Sequence, residues 1–189
     1  MKIGLFFGSF NPMHLGHKII ASYMAKFSDL DKVTFVVSPQ NPLKEKQSLL
    51  DKHHRFMIIK MEVENNLKLQ VSDIEFNMPQ PSYTIDTLIK LKEQLPENEY
   101  VIIMGADNLR TFHKWKNYEK ILEDYAVYVF PRPGFEITET HENIHVVKDI
   151  PQMEVSASFI RNSIKQGKDV SSLMPAKAWE YTYAMNFYR

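Results

Sequence analysis

The stretch from Ile3 to His17 reads IGLFFGSFNPMHLGH. Its first five residues, Ile3 to Phe7, form an unbroken apolar run, the pattern of a strand buried on both faces of a sheet. Gly8-Ser9 stops that run and Asn11-Pro12 turns the chain. His14 and His17, three residues apart, stand where a helical pattern begins. Three of the six glycines, Gly4, Gly8 and Gly16, fall in the first sixteen residues. Small side chains at a strand-to-helix turn leave peptide N–H groups open, and the positive end of the next helix attracts anions. The turn is therefore a candidate phosphate site. Its spacing fits neither G-x-G-x-x-G nor a loop ending in Gly-Lys-Ser/Thr, and a tight turn without a ligand would show the same glycines.

The histidines shift that balance. A histidine pair can bind a metal, act as acid and base, or donate hydrogen bonds to phosphate oxygens. A metal would want a third ligand, and a zinc protease would want His-Glu-x-x-His; neither is evident. Their place directly after a small-residue turn favours phosphate.

Outward from this stretch, strand-like and helix-like patterns alternate. Helical spacing runs over 18–27, 53–65, 85–94, 158–166 and from Pro175 to about Tyr188, with an aromatic-rich helical stretch after Asp107 to Leu122. Strand candidates are 33–37, 67–71, 100–104, 126–130 and 144–147. Thr84 and Asp107 are possible N-caps, and Gly167 closes the 158–166 helix. No linker or repeat divides the chain, so residues 1–189 read as one domain. The alternation implies an α/β fold: βαβ units, a parallel sheet with helices on both faces, and a helical C-terminal segment. Ligands of such sheets bind beyond the carboxyl ends of the strands, where Gly8, Ser38, Gly105 and Pro131 stand.

Composition narrows the function classes. Lys plus Arg and Asp plus Glu both total 23, a formal charge of zero, which gives no support for a nucleic-acid or membrane-surface protein. Without cysteine there is no disulfide, thiolate metal site or thiol nucleophile. No apolar stretch approaches membrane-spanning length, and a cytoplasmic protein is expected.

Two more constellations stand out. In Ser156-Ala157-Ser158-Phe159-Ile160-Arg161, a serine cap, open N–H groups and an arginine in the first turn can hold a polyphosphate. In Gly105-Ala106-Asp107, the aspartate can accept ribose hydroxyls, and Trp115 can stack on a flat ring. Each alone equally describes a capped helix with a solvated arginine, or a cap with a core tryptophan. His53-His54-Arg55 and the loop lysines Lys44 and Lys46 are weaker signals.

Together these residues resemble the nucleotidyltransferase superfamily, whose first strand ends in a Gly-Thr-Phe-Asp-Pro-like turn and continues into His-x-Gly-His. Here the turn is Gly8-Ser9-Phe10-Asn11-Pro12 and the histidine motif His14-Leu15-Gly16-His17. The superfamily's late Ser-Ser-Thr-x-Ile-Arg-like motif is matched by Ser156 to Arg161, about 140 residues on. Within the superfamily the chain is most similar to the bacterial nicotinate-nucleotide adenylyltransferases. Asn41-Pro42-Leu43-Lys44 resembles that family's substrate loop, Pro81-Ser82-Tyr83-Thr84-Ile85-Asp86-Thr87-Leu88 its Ser-Tyr-Thr stretch, and Gly105-Ala106-Asp107 with Trp115 its Gly-x-Asp and tryptophan. Departures are Ser9 for threonine, Leu43 for the loop histidine and Ala157 for the middle serine.

The resemblance implies a Rossmann-like fold and transfer of AMP from ATP to nicotinate mononucleotide, giving deamido-NAD and pyrophosphate. It implies His14, His17 and Arg161 as catalytic residues and Gly8, Ser9, Phe10, Gly105, Asp107, Ser156, Ser158, Phe159 and Ile160 as further ATP contacts. Lys44, Tyr83, Thr84 and Trp115 would take the mononucleotide. It also implies Mg2+, bound mainly through ATP phosphates and not by a protein cage. Partners would be the two nucleotides, with no nucleic acid or membrane, and the oligomeric state stays open, a homo-oligomer included. The rivals are the same chemistry on nicotinamide mononucleotide, another transferase of the His-x-Gly-His type, a silent nucleotide-binding protein, and a metal hydrolase using His53 and His54.

Overall fold

The computed structural model describes residues 1–40 and 49–189. Lys44 and the rest of the substrate-loop motif lie outside the described residues. Six strands, β1 (Lys2–Gly8), β2 (Lys32–Val37), β3 (Leu69–Ser72), β4 (Glu99–Gly105), β5 (Ala126–Phe130) and β6 (Ile144–Val146), form one sheet in the order β3-β2-β1-β4-β5-β6. All pairings are parallel. β1 lies between β2 and β4, where the winding reverses, which explains why its apolar run does not alternate: both its faces are covered.

The two faces bury separate clusters. Phe6, Phe35, Val101, Ile103 and Phe130 point to one face, under α1 (Leu15–Phe27), α2 (Lys52–Val63), α6 (Ala157–Lys165) and α7 (Ala176–Ala184). Leu5, Val36, Ile102, Met104 and Val129 point to the other, under α3 (Thr84–Gln94), α4 (Ala106–Leu109) and α5 (Tyr118–Asp124). Successive side chains of a strand leave on opposite faces, so neighbours in sequence serve opposite cores. Among the described residues no helix is long and apolar enough to cross a membrane.

Several boundaries differ from the sequence expectation, each for a local reason. α1 begins at Leu15, not Lys18, so His14 is its N-cap and His17 sits in its first turn. Thr84 is the first helical residue of α3 and Tyr83 the cap, while Gly105, not Asp107, caps α4. The aromatic stretch is not one helix. α4 stops after four residues, a single 3-10 turn spans Phe112–Lys114, and Asn117 at φ 53° starts α5. There Phe112 packs edge-on against Trp115 and Tyr118, with ring centroids 5.2 and 6.1 Å apart. This three-residue spacing suits a tighter turn than an α-helix, and asparagine tolerates the left-handed region. α7 ends at Ala184, and residues to Arg189 fold back, with Tyr188 donating its hydroxyl to Asn11 Oδ1 at 2.7 Å. A tertiary contact overrides the helical pattern there. Gly167, at φ 72°, closes α6 with bonds from its N–H to Ile164 (2.8 Å) and from Lys168 N–H to Ser163 (2.9 Å).

Candidate active site

A cavity of about 660 Å³ opens beyond the carboxyl ends of β1, β4 and β5. From the α1 and α6 side it is lined by His14, His17, Ser156, Ser158 and Arg161; from the α3 and α4 side by Tyr83, Thr84, Asp107 and Trp115. Gly8, Ser9 and Phe10 line it between. Three segments far apart in sequence thus meet in one chamber, as a parallel sheet with short carboxyl-end loops requires.

The histidine motif explains itself locally. The His14 and His17 rings stack at 3.7 Å with 28° between planes, and Phe10 presents its edge to His17 at 5.0 Å. His17 Nδ1 accepts the His14 backbone N–H at 3.3 Å. An accepting Nδ1 places the proton of a neutral imidazole on Nε2, which makes Nε2 a donor. Gly16 between them lets the His14 ring pack closely, since a Cβ there would stand 3.0 Å from His14 Nδ1 and 3.1 Å from its Cε1, and the ring would have to shift.

His14 is only 4% exposed, and its Nδ1 is buried without a hydrogen-bond partner. Burial, with the nearby Arg132 charge, pushes its pKa down to about 4, so the ring is neutral at pH 7. A base with a depressed native pKa stabilises the fold above its ordinary value of about 6.5 and loses that contribution as pH falls toward 4. The loss is on the order of 3 kcal/mol between those limits. Urea midpoints of the wild type are therefore expected to fall over this window more steeply than those of His14→Gln; parallel curves would refute the buried neutral ring.

Arg161 is anchored at the cavity wall by Nη1 donating to the Asn11 carbonyl at 2.7 Å and Nη2 to Ser158 Oγ at 3.2 Å. Ser156 Oγ caps α6 by accepting Phe159 N–H at 3.1 Å. Ile160 N–H bonds the Ser156 carbonyl at 3.1 Å. Phe159 and Ile160 therefore have their N–H groups engaged inside the helix. Phe159 is 56% exposed, Ile160 is in the core, and neither lines the cavity. Gly105 lines it no more than they do; its missing side chain leaves room for the Asp107 carboxylate where it now stands. Asp107 Oδ1 stands 3.6 Å from Arg132 Nε, both atoms buried without a hydrogen-bond partner.

On the other side, Tyr83 caps α3 with no side-chain bond to the helix N–H groups, leaving a helix N-terminus toward the chamber. Trp115 is half-buried at its edge, and Lys116 is held by both Asp86 oxygens at 2.9 and 3.0 Å.

Sequence reasoning missed Glu75 and Arg132 and placed Arg55 only among the weaker signals. Arg55, wholly buried, donates to four carbonyls: Leu50 (2.8 Å), Ser9 (2.6 Å), Ser38 (2.8 Å) and Pro39 (2.9 Å). Burial lowers its pKa to about 10, still charged at neutral pH. Glu75, also buried, accepts Ser82 Oγ–H at 2.7 Å and Thr87 Oγ1–H at 2.9 Å, and desolvation raises its pKa. Arg132 lines the chamber beside Asp107. A charged residue inside an otherwise apolar helical pattern was the one available signal, and only for Arg55. His53 and His54 do not converge: His53 packs on Phe76, while His54 Nδ1 meets Tyr181 Oη at 2.9 Å. Among the described residues no group of three or more His, Asp or Glu could hold a metal ion.

The cytidylyltransferase-like family model matches residues 5–163. Fold and chamber thus define a nucleotidyltransferase of the cytidylyltransferase-like family. The "Probable nicotinate-nucleotide adenylyltransferase" of Flavobacterium johnsoniae is 52% identical over the full length of both chains. That of Bacteroides thetaiotaomicron is 39% identical over 96% of this chain and 90% of its own. The chain belongs to the nicotinate-nucleotide adenylyltransferase family. The Plasmodium falciparum nicotinic acid mononucleotide adenylyltransferase complexed with NaAD shares the fold, with TM-score 0.84, 21% identity, and coverage of 99% of this chain and 97% of that one.

Proposed function

We propose that this protein is a cytoplasmic enzyme that transfers AMP from ATP to nicotinate mononucleotide, giving deamido-NAD and pyrophosphate. The observation that carries the reading is the meeting of two unlike half-sites in one chamber. Stacked histidines and an anchored arginine come from one side, an open helix N-terminus and a tryptophan from the other. The full-length relatives bear the corresponding name.

A phosphate oxygen of the mononucleotide attacks the α-phosphorus of ATP, and the bond from that phosphorus to the bridging β-oxygen breaks. The attacking oxygen is already anionic, so no protein base or covalent intermediate is required; catalysis is positioning and charge stabilisation. His17 Nε2–H and the Arg161 guanidinium donate to the phosphate oxygens as charge moves onto the leaving pyrophosphate. His14 braces the His17 ring and adds its own donor. Gly8, Ser9 and the Ser156–Ser158 turn hold the phosphates, and Asp107 takes a ribose hydroxyl. The donor set fits a magnesium ion carried on ATP oxygens: Glu75 is engaged by two hydroxyls, and Asp107 is the remaining carboxylate among the described lining residues. The ion supplies charge neutralisation when bound.

Nicotinate differs from nicotinamide by one negative charge, which the N-terminus of α3 at Tyr83-Thr84 favours, while Trp115 stacks on the ring. With ATP saturating, kcat/KM for nicotinate mononucleotide is expected to exceed that for the amide by at least roughly tenfold, since a site built for one polar group rejects the analogue lacking it. A preference for the amide would overturn the substrate assignment.

Glu75 holds Ser82 and Thr87, one on each side of that helix start. Glu75→Gln replaces one acceptor with a donor facing a hydroxyl. It is expected to raise KM for the mononucleotide about three- to tenfold, as for one or two buried hydrogen bonds, while KM for ATP stays within twofold. Equal changes in both KM values would mean general loosening of the fold instead.

A further inference from the structure

A second hollow, of about 700 Å³, lies between the C-terminal end of α6 and α7, and it shares no lining residue with the chamber. Three cationic side chains border it: Lys165 and Lys168 from the end of α6, and Arg189. Trp179 and Tyr183, one helical turn apart on α7 with ring centroids 5.6 Å apart, provide aromatic faces. Tyr183 is 58% exposed, and the Arg189 guanidinium lies 4.7 Å from its ring centroid. Thr182 also lines the hollow. It is 1% exposed, and its Oγ1 is buried without a hydrogen-bond partner.

That last observation separates this hollow from an ordinary basic surface. A threonine within a helix usually satisfies its hydroxyl on the carbonyl one turn back, and a buried polar group left unpaired is uncommon in a folded protein. Here the unpaired hydroxyl belongs to a residue of the same lining as the three cations and the two rings. The one acidic side chain of the lining, Asp169, has Oδ1 occupied by the Ser171 N–H at 2.8 Å, and that bond lowers its pKa. It stays a carboxylate and offsets one of the three cations, so the lining side chains keep a positive balance. Cations select anions, rings select a flat partner by stacking, and a lone hydroxyl selects a polar group between them.

We propose that the hollow bounded by Lys165, Lys168, Arg189, Trp179, Tyr183 and Thr182 is a second binding site, for an anion carrying a flat ring, the chemistry of a nucleotide. α6 spans the distance between this hollow and the chamber, with Ser158 and Arg161 toward one end and Lys165 at the other. The site is independent of the identity of the nucleotide that attacks ATP, and its test does not depend on turnover.

The chain has two tryptophans, Trp115 in the chamber and Trp179 in the hollow. In Trp115→Phe, the indole emission therefore comes from Trp179 alone. Titrating this variant with AMP is expected to quench that emission saturably, with half-saturation on the order of 0.1–1 mM, the range of a small ligand on a half-open site. Reversing Lys165 and Lys168 to Glu in the same background is expected to weaken binding at least tenfold, two exposed charges that the fold does not need. Thr182→Val, which removes the hydroxyl and keeps the shape, is expected to weaken AMP several-fold without lowering the melting temperature. Inorganic phosphate, which has no ring, should bind at least tenfold more weakly than AMP. Absence of saturation up to about 10 mM AMP would overturn the site, since weaker binding carries no selectivity. So would quenching that survives the double charge reversal, an affinity unchanged in Thr182→Val, or equal affinities for phosphate and AMP. Emission that changes with protein concentration before ligand is added would assign the face to a second copy of the chain and overturn the proposal.

Discussion

Replacing His17 with alanine is expected to leave the fold intact and to lower turnover by roughly a hundredfold or more, the cost of losing one donor aimed at transition-state charge. The first half of that expectation rests on where His17 sits. It occupies the first turn of α1, half-buried, with its ring against His14 and the edge of Phe10. Alanine is the best helix former, and α1 also buries Ile20, Ala21, Met24 and Ala25 one turn and more beyond the site, so the helix survives the change. The second half rests on the tautomer. Because Nδ1 accepts the His14 N–H, the proton is on Nε2, and no other ring position can replace that donor. His17→Gln, which carries an amide donor at similar reach, should recover part of the loss; alanine and glutamine variants that behave alike would point to ring packing. Near-normal turnover in His17→Ala would remove the proposed mechanism. KM for the mononucleotide should change little in either variant, because that substrate is assigned to the α3 side.

The order in which these residues became visible follows the range of the physics behind them. The strands were legible because burial on both faces writes an unbroken apolar run into the chain. Ala126–Phe130 and the core of β1, β2 and β4 fall where those runs fall. The histidine motif was legible because its chemistry is local, with cap, first turn and intervening glycine all within four residues. The broken helix after Gly105 was not, because Phe112, Trp115 and Tyr118 are equally good helical residues until their packing partners are known. Phe159 and Ile160 illustrate the same limit inside a motif. The resemblance implied contacts for both, but a helix turns each successive residue by about 100°, which leaves Phe159 exposed and sends the Ile160 side chain to the core. Glu75 was invisible for a different reason. Its partners Ser82 and Thr87 lie beyond the Met78–Pro81 break, so nothing local marks it as a buried brace.

Arg55, only a weak signal in the sequence, carries the other large expected effect. Arg55→Met is expected to destabilise the protein by about 3–5 kcal/mol, the scale for breaking a fully buried charged network. The guanidinium holds the carbonyls of Ser9, Ser38, Pro39 and Leu50 with four hydrogen bonds of 2.6–2.9 Å, joining α2 and its own lead-in to the residues that follow β1 and β2. The Ser9, Ser38 and Pro39 carbonyls lie just past the ends of β1 and β2, and that of Leu50 lies just before α2, so each needs a donor other than a strand ladder. Methionine matches the length of the stem and supplies none, which leaves several buried acceptors unsatisfied. The predicted loss corresponds to a melting temperature lower by about 10 °C for a chain of this size. Arg55→Lys separates charge from geometry: an ammonium keeps the charge but cannot span four carbonyls with a planar fork, so it should recover less than half of the loss. Because Ser9 belongs to the turn proposed to hold phosphate, KM for ATP in Arg55→Lys should rise several-fold even at temperatures where the variant is fully folded. Melting curves and ATP kinetics on the two variants check both parts. A methionine variant that melts with the wild type would show that water, not Arg55, satisfies those carbonyls. A lysine variant with normal ATP kinetics would show that the Ser9 turn is held by its own strand and not from α2.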